Sequence, residues 1–302
     1  MKKLTLVNPS QQNFWKMPES FVKMIHEHFS DWEIRTLENF EKDLPLLKDA
    51  DAIIGLPFPA SLIRANKNLK WVHFLTNQVP LSWQKLSQKY QITNSKVSGR
   101  SVAEHALHLI LKGLRQEVFY HDKLWTSENY GVAKLASESS LGIIGFGAIG
   151  EMISSLTLPL FSEVRFLTSR DHSPAGTKHY AYDNDQDFFK NLDVLVICTE
   201  HNPRTQSFFH DPSFYQKLKR DIIMINVSRG ELLVESELVN FLKNHPEACY
   251  LSDVATPEPY PPSGELLKLS NVYLTPHIGA RFETIWNKLE AECLEVIKDK
   301  NV

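Results

Sequence analysis

The chain has 302 residues, 42% of them apolar and 23% charged, with a formal net charge of −3. That length accommodates two domains with separate cores, and the mild negative balance without any long Lys/Arg block excludes nucleic acid or an anionic membrane as the main partner. Three scattered cysteines, Cys198, Cys249 and Cys293, lack metal or redox spacing, which points to a reduced cytoplasmic compartment and no metal.

The opening Met-Lys-Lys-Leu-Thr-Leu-Val has no apolar run of signal-peptide length and reads as a first strand over residues 4–7. No stretch reaches the ~18 apolar residues of a membrane span. Phe21, Met24, Ile25 and His28 fall at helical spacing. Short apolar runs at 51–55, 71–74 and 91–93 read as further strands, so the first ~95 residues form a small α/β domain. Pro57 and Pro59 mark a loop on the side where open sheets bind ligands. A long helix is expected from Ser101, where Ser101 and Glu104 have capping-box spacing ahead of Ala106, Leu107, Ile110, Leu111, Leu114 and Val118. Glu104 therefore reads as a cap rather than a catalytic acid. Trp125 and Tyr130 lie in the polar connection that follows.

The central stretch is 141–150, Leu-Gly-Ile-Ile-Gly-Phe-Gly-Ala-Ile-Gly. An apolar run reading as a buried strand leads into Gly145, Gly147 and Gly150 in G-x-G-x-x-G spacing, and a helix follows. Gly145 permits the tight turn, Gly147 lets a pyrophosphate approach the backbone, and Gly150 allows close helix packing. The helix start offers N–H groups and a positive dipole end to phosphates. Strands then read at 163–168, 193–198, 221–226, 250–252 and 271–274, a βα rhythm that implies a doubly wound parallel sheet. The amphipathic segment 282–298, with Ile285, Leu289, Cys293, Val296 and Ile297 on one face, could return to the first domain. The expected fold is α/β with two Rossmann-like domains. A discontinuous, flavodoxin-like substrate domain takes 1–97 and 281–302, and a dinucleotide-binding domain takes 98–280.

Three chemically capable residues each follow a predicted strand: Arg229 in Asn-Val-Ser-Arg-Gly, Glu258 in Asp-Val-Ala-Thr-Pro-Glu-Pro, and His277 in Leu-Thr-Pro-His-Ile-Gly-Ala. Singly, these are a surface charge, a solvated loop acid and a turn residue. Together, at the carboxyl ends of parallel strands beside a dinucleotide turn, they suit hydride transfer to a 2-oxo acid. That reaction needs a cation for the carboxylate and carbonyl, and a proton donor for the developing alkoxide. Histidine titrates near neutrality, and an adjacent carboxylate favours its protonated form.

With these motifs in this order, the chain resembles the D-isomer-specific 2-hydroxyacid dehydrogenase family, most strongly over 94–280. The resemblance implies Arg229 as substrate clamp, His277 as acid/base, Glu258 as its partner, and Asp253 beside the nicotinamide. It further places Phe146, Ala148 and Ile149 of the glycine turn, and Cys198, Thr199, Thr205, Val227 and Ser228, along the cofactor. The segment Thr76, Asn77, Gln78 and Val79 is similar to the substrate loop of phosphoglycerate dehydrogenases, which holds a carboxylate through backbone N–H groups, although Leu75 and Pro80 depart from that pattern. The resemblance implies oxo-acid binding between the domains and a homodimer, with the helix from Ser101 as a candidate contact or plain core.

For the cofactor, Thr168 stands where NAD-dependent members carry an acid, and Ser169 and Arg170 follow. Removing the acid removes repulsion of a 2′-phosphate, and Arg170 adds a charge-assisted donor, so NADP(H) is favoured over NAD(H). In the alternative, Arg170 is solvated and Asp171 binds the ribose. A substrate of glyoxylate/hydroxypyruvate type leads, ahead of a phosphorylated hydroxy acid. The rival readings are a phosphite-type dehydrogenase and an NAD(H)-sensing binding protein of the same fold.

Overall fold

The structure is a computed structural model, and it describes residues 1–8, 15–119, 132–170 and 172–300. Trp125, Tyr130 and Asp171 lie outside the described residues. The first part of the chain carries β1 (Lys3–Val7), α1 (Glu19–His28), β2 (Glu33–Leu37), α2 (Phe40–Asp43), β3 (Ala52–Gly55), β4 (Trp71–Phe74), α3 (Leu81–Gln84) and β5 (Gln91–Asn94). There follow α4 (Gly99–Leu114), β6 (Ser140–Ile144), α5 (Ala148–Thr157), β7 (Glu163–Leu167), β8 (Lys178–Tyr180), α6 (Gln186–Phe189) and β9 (Val194–Ile197). The last part holds α7 (Pro203–Phe209), β10 (Ile223–Asn226), α8 (Glu235–Asn244), β11 (Cys249–Ser252), β12 (Val272–Leu274) and α9 (Ile285–Lys300). These elements group into two compact units, residues 1–98 with 281–302, and residues 99–280. Among the described residues no helix is long and apolar enough to cross a membrane.

The first unit is a five-stranded parallel sheet in the order β2-β1-β3-β4-β5, the flavodoxin-like arrangement. Strand residues alternate between its two faces, and both faces are covered. Leu4, Leu6, Ile54 and Trp71 pack against Phe21, Met24 and Ile25 of α1 and against Ile285, Leu289, Cys293 and Ile297 of α9. The spacing of four along α9 lays those side chains in one stripe, so the end of the chain completes the core begun by β1. On the opposite face Val7, Ile53, Val72 and Phe74 pack with Phe58 and Trp83.

The second unit is a seven-stranded parallel sheet in the order β12-β11-β10-β9-β6-β7-β8. From β6 the chain runs outward through β7 to β8, then returns to the other side of β6 with β9. Ile144 and Ile197 pair in register at that reversal, and a crevice for ligands opens beyond their carboxyl ends. One face is covered by α4, which sits so close that a methyl at Gly113 would come 2.5 Å from Ile223 Cγ2. The other face buries an aromatic cluster in which Phe188–Phe189 and Phe209–Phe214 have ring centroids 4.9 and 5.1 Å apart.

Several expectations need correction. The helix starts at Gly99, two residues before the expected cap, so Ser101 is already inside it and no capping box forms. Ser101 Oγ instead donates to the Gly279 carbonyl at 2.7 Å, and Glu104 pairs with Arg100 at 2.7 Å. The buried stripe of α4 is Ala103, Ala106, Leu109, Ile110, Gly113 and Leu114, whereas Leu111 is exposed. Two strands, β2 and β8, are not among those expected from the sequence. Both are sheet edges rich in polar residues, with few buried positions to produce an alternation.

His73 of β4 is fully buried, with Nδ1 3.0 Å from Thr93 Oγ1, and burial pushes its imidazole down to about 4. An unfolded chain protonates this side chain below about 6.5, while the folded unit resists until about 4. The unfolded state therefore binds the extra proton within that window. Stability is full above it and falls as the pH drops through it, by about 3 kcal/mol at most. Urea denaturation at a series of pH values should show a smaller loss across this window in His73→Phe than in the wild type, and an equal loss in both would remove His73 as its source.

Candidate active site

The glycine turn leaves β6 at Gly145, whose φ of +108° belongs to glycine. A Cβ there would come 2.8 Å from the Cys198 carbonyl oxygen, and one at Gly150 would come 2.4 Å from the Gly145 carbonyl oxygen. These two positions are closed by the protein's own backbone. At Gly147 the opposite holds, because a Cβ would meet no atom within 4 Å. Gly147 is also the N-cap of α5, and no side chain caps that helix. Its leading N–H groups, in Ala148, Ile149 and Gly150, therefore face an open cradle at the positive end of the helix dipole. A pyrophosphate fits this arrangement.

Around the turn, the other expected cofactor residues divide by role. Thr168 is buried just after β7, and its hydroxyl accepts from the Arg170 backbone N–H at 3.2 Å. Ser169 is exposed, and the Arg170 guanidinium lies 5.2 Å from the Phe146 ring centre. Cys198 packs beneath the turn with Sγ 3.4 Å from the Gly145 carbonyl, and burial pushes its thiol up to about 12. Ser228 Oγ donates to the Thr199 carbonyl, which ties the ends of β9 and β10 together; Val227 is buried beside it. Thr205 spends its hydroxyl on the Glu200 carbonyl at 2.6 Å and completes a capping box with Asn202 at the start of α7. That side chain holds the turn.

Arg229, Glu258 and His277 are carried by the loops after β10, β11 and β12. Asn226, fully buried, fixes the first loop by accepting from Ser228 N at 3.0 Å and donating to the Arg229 carbonyl at 3.1 Å. Gly230 lies directly against the Ala255 backbone, where a Cβ would overlap the carbonyl carbon at 2.3 Å, so the first and second loops are in contact. Glu258 Oε1 accepts from Ala255 N at 3.1 Å, and its Oε2 accepts from His277 Nδ1 at 2.7 Å. The imidazole and carboxylate keep 44% and 39% of their side-chain surface, so the pair is open to a small molecule. Burial raises the Glu258 pKa, but hydrogen bonds from His277 and Ala255 and the Arg229 charge outweigh it and hold the carboxyl below its usual range. Burial lowers the Arg229 pKa, opposed by the charges of Glu258 and Glu231. An ionised acid thus receives the Nδ1 proton, and His277 Nε2 is left to face a substrate.

Asp253 is 4% exposed and has a different task. Its Oδ1 accepts from the Thr275 hydroxyl at 2.6 Å and from Ile278 N at 2.8 Å, and its Oδ2 accepts from Gly279 N at 2.7 Å. Burial pushes its pKa up, yet hydrogen bonds from His105, Thr275, Ile278 and Gly279 hold it below the usual carboxylate range. The sequence reading missed His105 and Thr275, whose side chains lie 3.0 Å apart in this network. No motif marks His105, which sits on a helix face like any half-buried polar residue.

Thr76, Asn77, Gln78 and Val79 belong to the first unit, in the loop that leaves the carboxyl end of β4. Thr76 Oγ1 donates to the Gln78 carbonyl at 3.1 Å, and Asn94 Nδ2 donates to the Asn77 carbonyl at 2.6 Å. Gln84 Nε2 donates to the Val79 carbonyl at 3.3 Å. Leu75, just before this loop, is buried in the core of the first unit.

The sequence profile of the D-isomer specific 2-hydroxyacid dehydrogenase NAD binding domain matches residues 104–279. A mouse (Mus musculus) glyoxylate reductase/hydroxypyruvate reductase is 35% identical over 147 residues, which are 48% of this chain and 44% of that one. The match thus spans less than half of that relative's length. A Staphylococcus aureus protein assigned to the 2-hydroxyacid dehydrogenases is 28% identical over 88% of this chain and 89% of its own. Among solved structures, a glyoxylate reductase from Paecilomyes thermophila superposes with a TM-score of 0.83 at 19% identity, covering 98% of this chain and 94% of its own, a likeness of fold.

The open cradle at Gly147 makes a separable prediction. Gly147→Ala adds a methyl that meets no protein atom, so thermal melting should stay within about 2 °C of wild type. The same methyl enters the open space before the uncapped start of α5, so calorimetric titration should show about tenfold weaker dinucleotide binding if that space holds the pyrophosphate. Unchanged affinity would remove the turn from the phosphate site.

Proposed function

Because the chain belongs to the D-isomer-specific 2-hydroxyacid dehydrogenase family, we propose that it reduces a small 2-oxo acid to a 2-hydroxy acid at the expense of NAD(P)H. The observation that carries this reading is the 2.7 Å pair of His277 Nδ1 with Glu258 Oε2, on the sheet edge that also bears Arg229 and the glycine turn. When bound at 145–150, the nicotinamide cofactor supplies the hydride. Arg229 draws in the substrate carboxylate and polarises the carbonyl with its guanidinium. As negative charge grows on the carbonyl oxygen, protonated His277 donates from Nε2. Glu258 stabilises the cation before transfer and fixes the ring's orientation. In the oxidative direction neutral His277 takes the hydroxyl proton from the same position. The backbone N–H groups of Thr76–Val79 are proposed to bind the substrate carboxylate.

NADP(H) is the proposed cofactor. No acid stands at Thr168 to repel a 2′-phosphate, and the stacking of Arg170 on Phe146 holds a cation at that end of β7. We further propose a homodimer, on the family resemblance, working in the cytoplasm, on the scattered cysteines that lack metal or redox spacing. A substrate of the glyoxylate or hydroxypyruvate type is proposed, its carboxylate for Arg229 and its carbonyl oxygen for the proton of His277.

Following the reduced-nicotinamide absorbance with a panel of 2-oxo acids tests the reading. Turnover should appear with at least one short oxo acid, and His277→Ala should lower kcat by roughly 10²- to 10⁴-fold. A variant that keeps most of the turnover removes His277 from the proton step. Tight cofactor binding without turnover on any oxo acid would favour a dinucleotide sensor. Arg170→Ala should raise KM for NADPH about tenfold and leave that for NADH unchanged; equal effects on both would remove Arg170 from recognition of a 2′-phosphate, and a wild-type preference for NADH would assign NAD(H).

A further inference from the structure

His277 has a φ of +51°, a left-handed conformation that is strained for a side-chain-bearing residue. Such a conformation persists only where neighbouring contacts over-determine it. Within its own loop, His277 N donates to the Thr275 carbonyl at 2.9 Å. The remaining restraints come from outside the loop. Asp253 takes three of its donors, and Ser101 Oγ donates to the Gly279 carbonyl at 2.7 Å. His105 Nε2 lies 3.0 Å from Thr275 Oγ1 and 3.4 Å from Asp253 Oδ1. The packing is tight as well, since a Cβ at Gly279 would come 2.8 Å from Asp253 Oδ2 and 3.3 Å from His105 Cδ2.

The direction of these bonds follows from counting protons. Asp253 is ionised and can only accept. Thr275 has a single hydroxyl proton, and its 2.6 Å contact with Asp253 Oδ1 takes it in preference to the Ser252 carbonyl at 3.4 Å. The Thr275 oxygen therefore turns a lone pair towards His105, so Nε2 of His105 carries the hydrogen. The chain His105 → Thr275 → Asp253 runs in one direction and closes on the backbone N–H groups of Ile278 and Gly279, which flank the left-handed turn.

We propose that His105 is a positioning residue for the acid/base. Its Nε2–H fixes the Thr275 hydroxyl on Asp253, and through that carboxylate sets the backbone that presents His277. His105 touches neither His277 nor the reacting atoms. It sits on α4, on a face shared with Ser101, so the helix that covers the sheet also anchors the loop after β12. The proposal rests on the reductase reading for its kinetic consequence, but not for its structural one.

The test compares His105→Leu, which removes the donor, with His105→Gln, whose amide N–H reaches the position of imidazole Nε2. Thr275→Val removes the middle link and serves as a second probe should the leucine variant fail to fold. In an enzyme that turns over an oxo acid, His105→Leu and Thr275→Val should lower kcat about tenfold or more, with dinucleotide Kd held within about threefold. His105→Gln should recover kcat to within about threefold of wild type. A leucine variant with wild-type kcat, or a glutamine variant as slow as the leucine one, overturns the proposal. Nitrogen-15 spectra of the imidazole groups decide it without turnover. They should show a proton on His105 Nε2 and displaced His277 resonances in His105→Leu and Thr275→Val; unmoved His277 resonances overturn it. A wild type that binds dinucleotide and turns over nothing, with His277 resonances still displaced in the two variants, would refute the reductase reading alone.

Discussion

Everything at the candidate site depends on the common direction of the strands in the second unit. Since β6, β9, β10, β11 and β12 are all parallel, the segments after Ile144, Ile197, Asn226, Ser252 and Leu274 emerge on one edge of the sheet. Residues separated by more than a hundred positions, such as Gly145 and His277, are carried to that edge by register. The helices on the two faces then only have to keep the sheet dry, which the α4 stripe and the aromatic cluster around Phe214 do.

Two carboxylates in the one loop after β11 show how environment divides labour. Asp253 and Glu258 are both held ionised by donors that overcome burial. Asp253 is enclosed and spends both oxygens on the loop after β12, so its contribution is geometric. Glu258 stays open, gives one oxygen to its own loop and the other to His277, so its charge is available where a cation must form. Exchanging their surroundings, not their chemistry, would exchange their roles.

Much of this was legible in the sequence because it is local. The glycine spacing needs only a strand before it and a helix after it, and Arg229, Glu258 and His277 sit in short loops whose preceding strands are continuous apolar runs. What failed was whatever depends on distant partners. Lys178–Tyr180 and Glu33–Leu37 become strands because a neighbouring strand offers its edge, not because their own side chains alternate. Ser101 and Glu104 have the spacing of a cap, but α4 begins earlier and Gly279 claims the serine hydroxyl. His105 is invisible for the same reason: its meaning comes from Thr275, 170 positions away.

Two of the three cysteines, unremarkable in the sequence, acquire a use from where they are buried. Cys249 lies within β11 of one unit and Cys293 within the α9 stripe of the other, and burial pushes both thiols up to about 12. Neither offers a thiolate to an electrophile while its unit is closed. Each half of the molecule therefore contains its own latent chemical clock. The rate at which an alkylating reagent captures Cys293 counts openings of the unit that is closed by the end of the chain, and capture of Cys249 counts openings of the sheet that carries the site. Peptide mapping of the two adducts would read the local stabilities of both halves from a single native sample, without a denaturant or an introduced label.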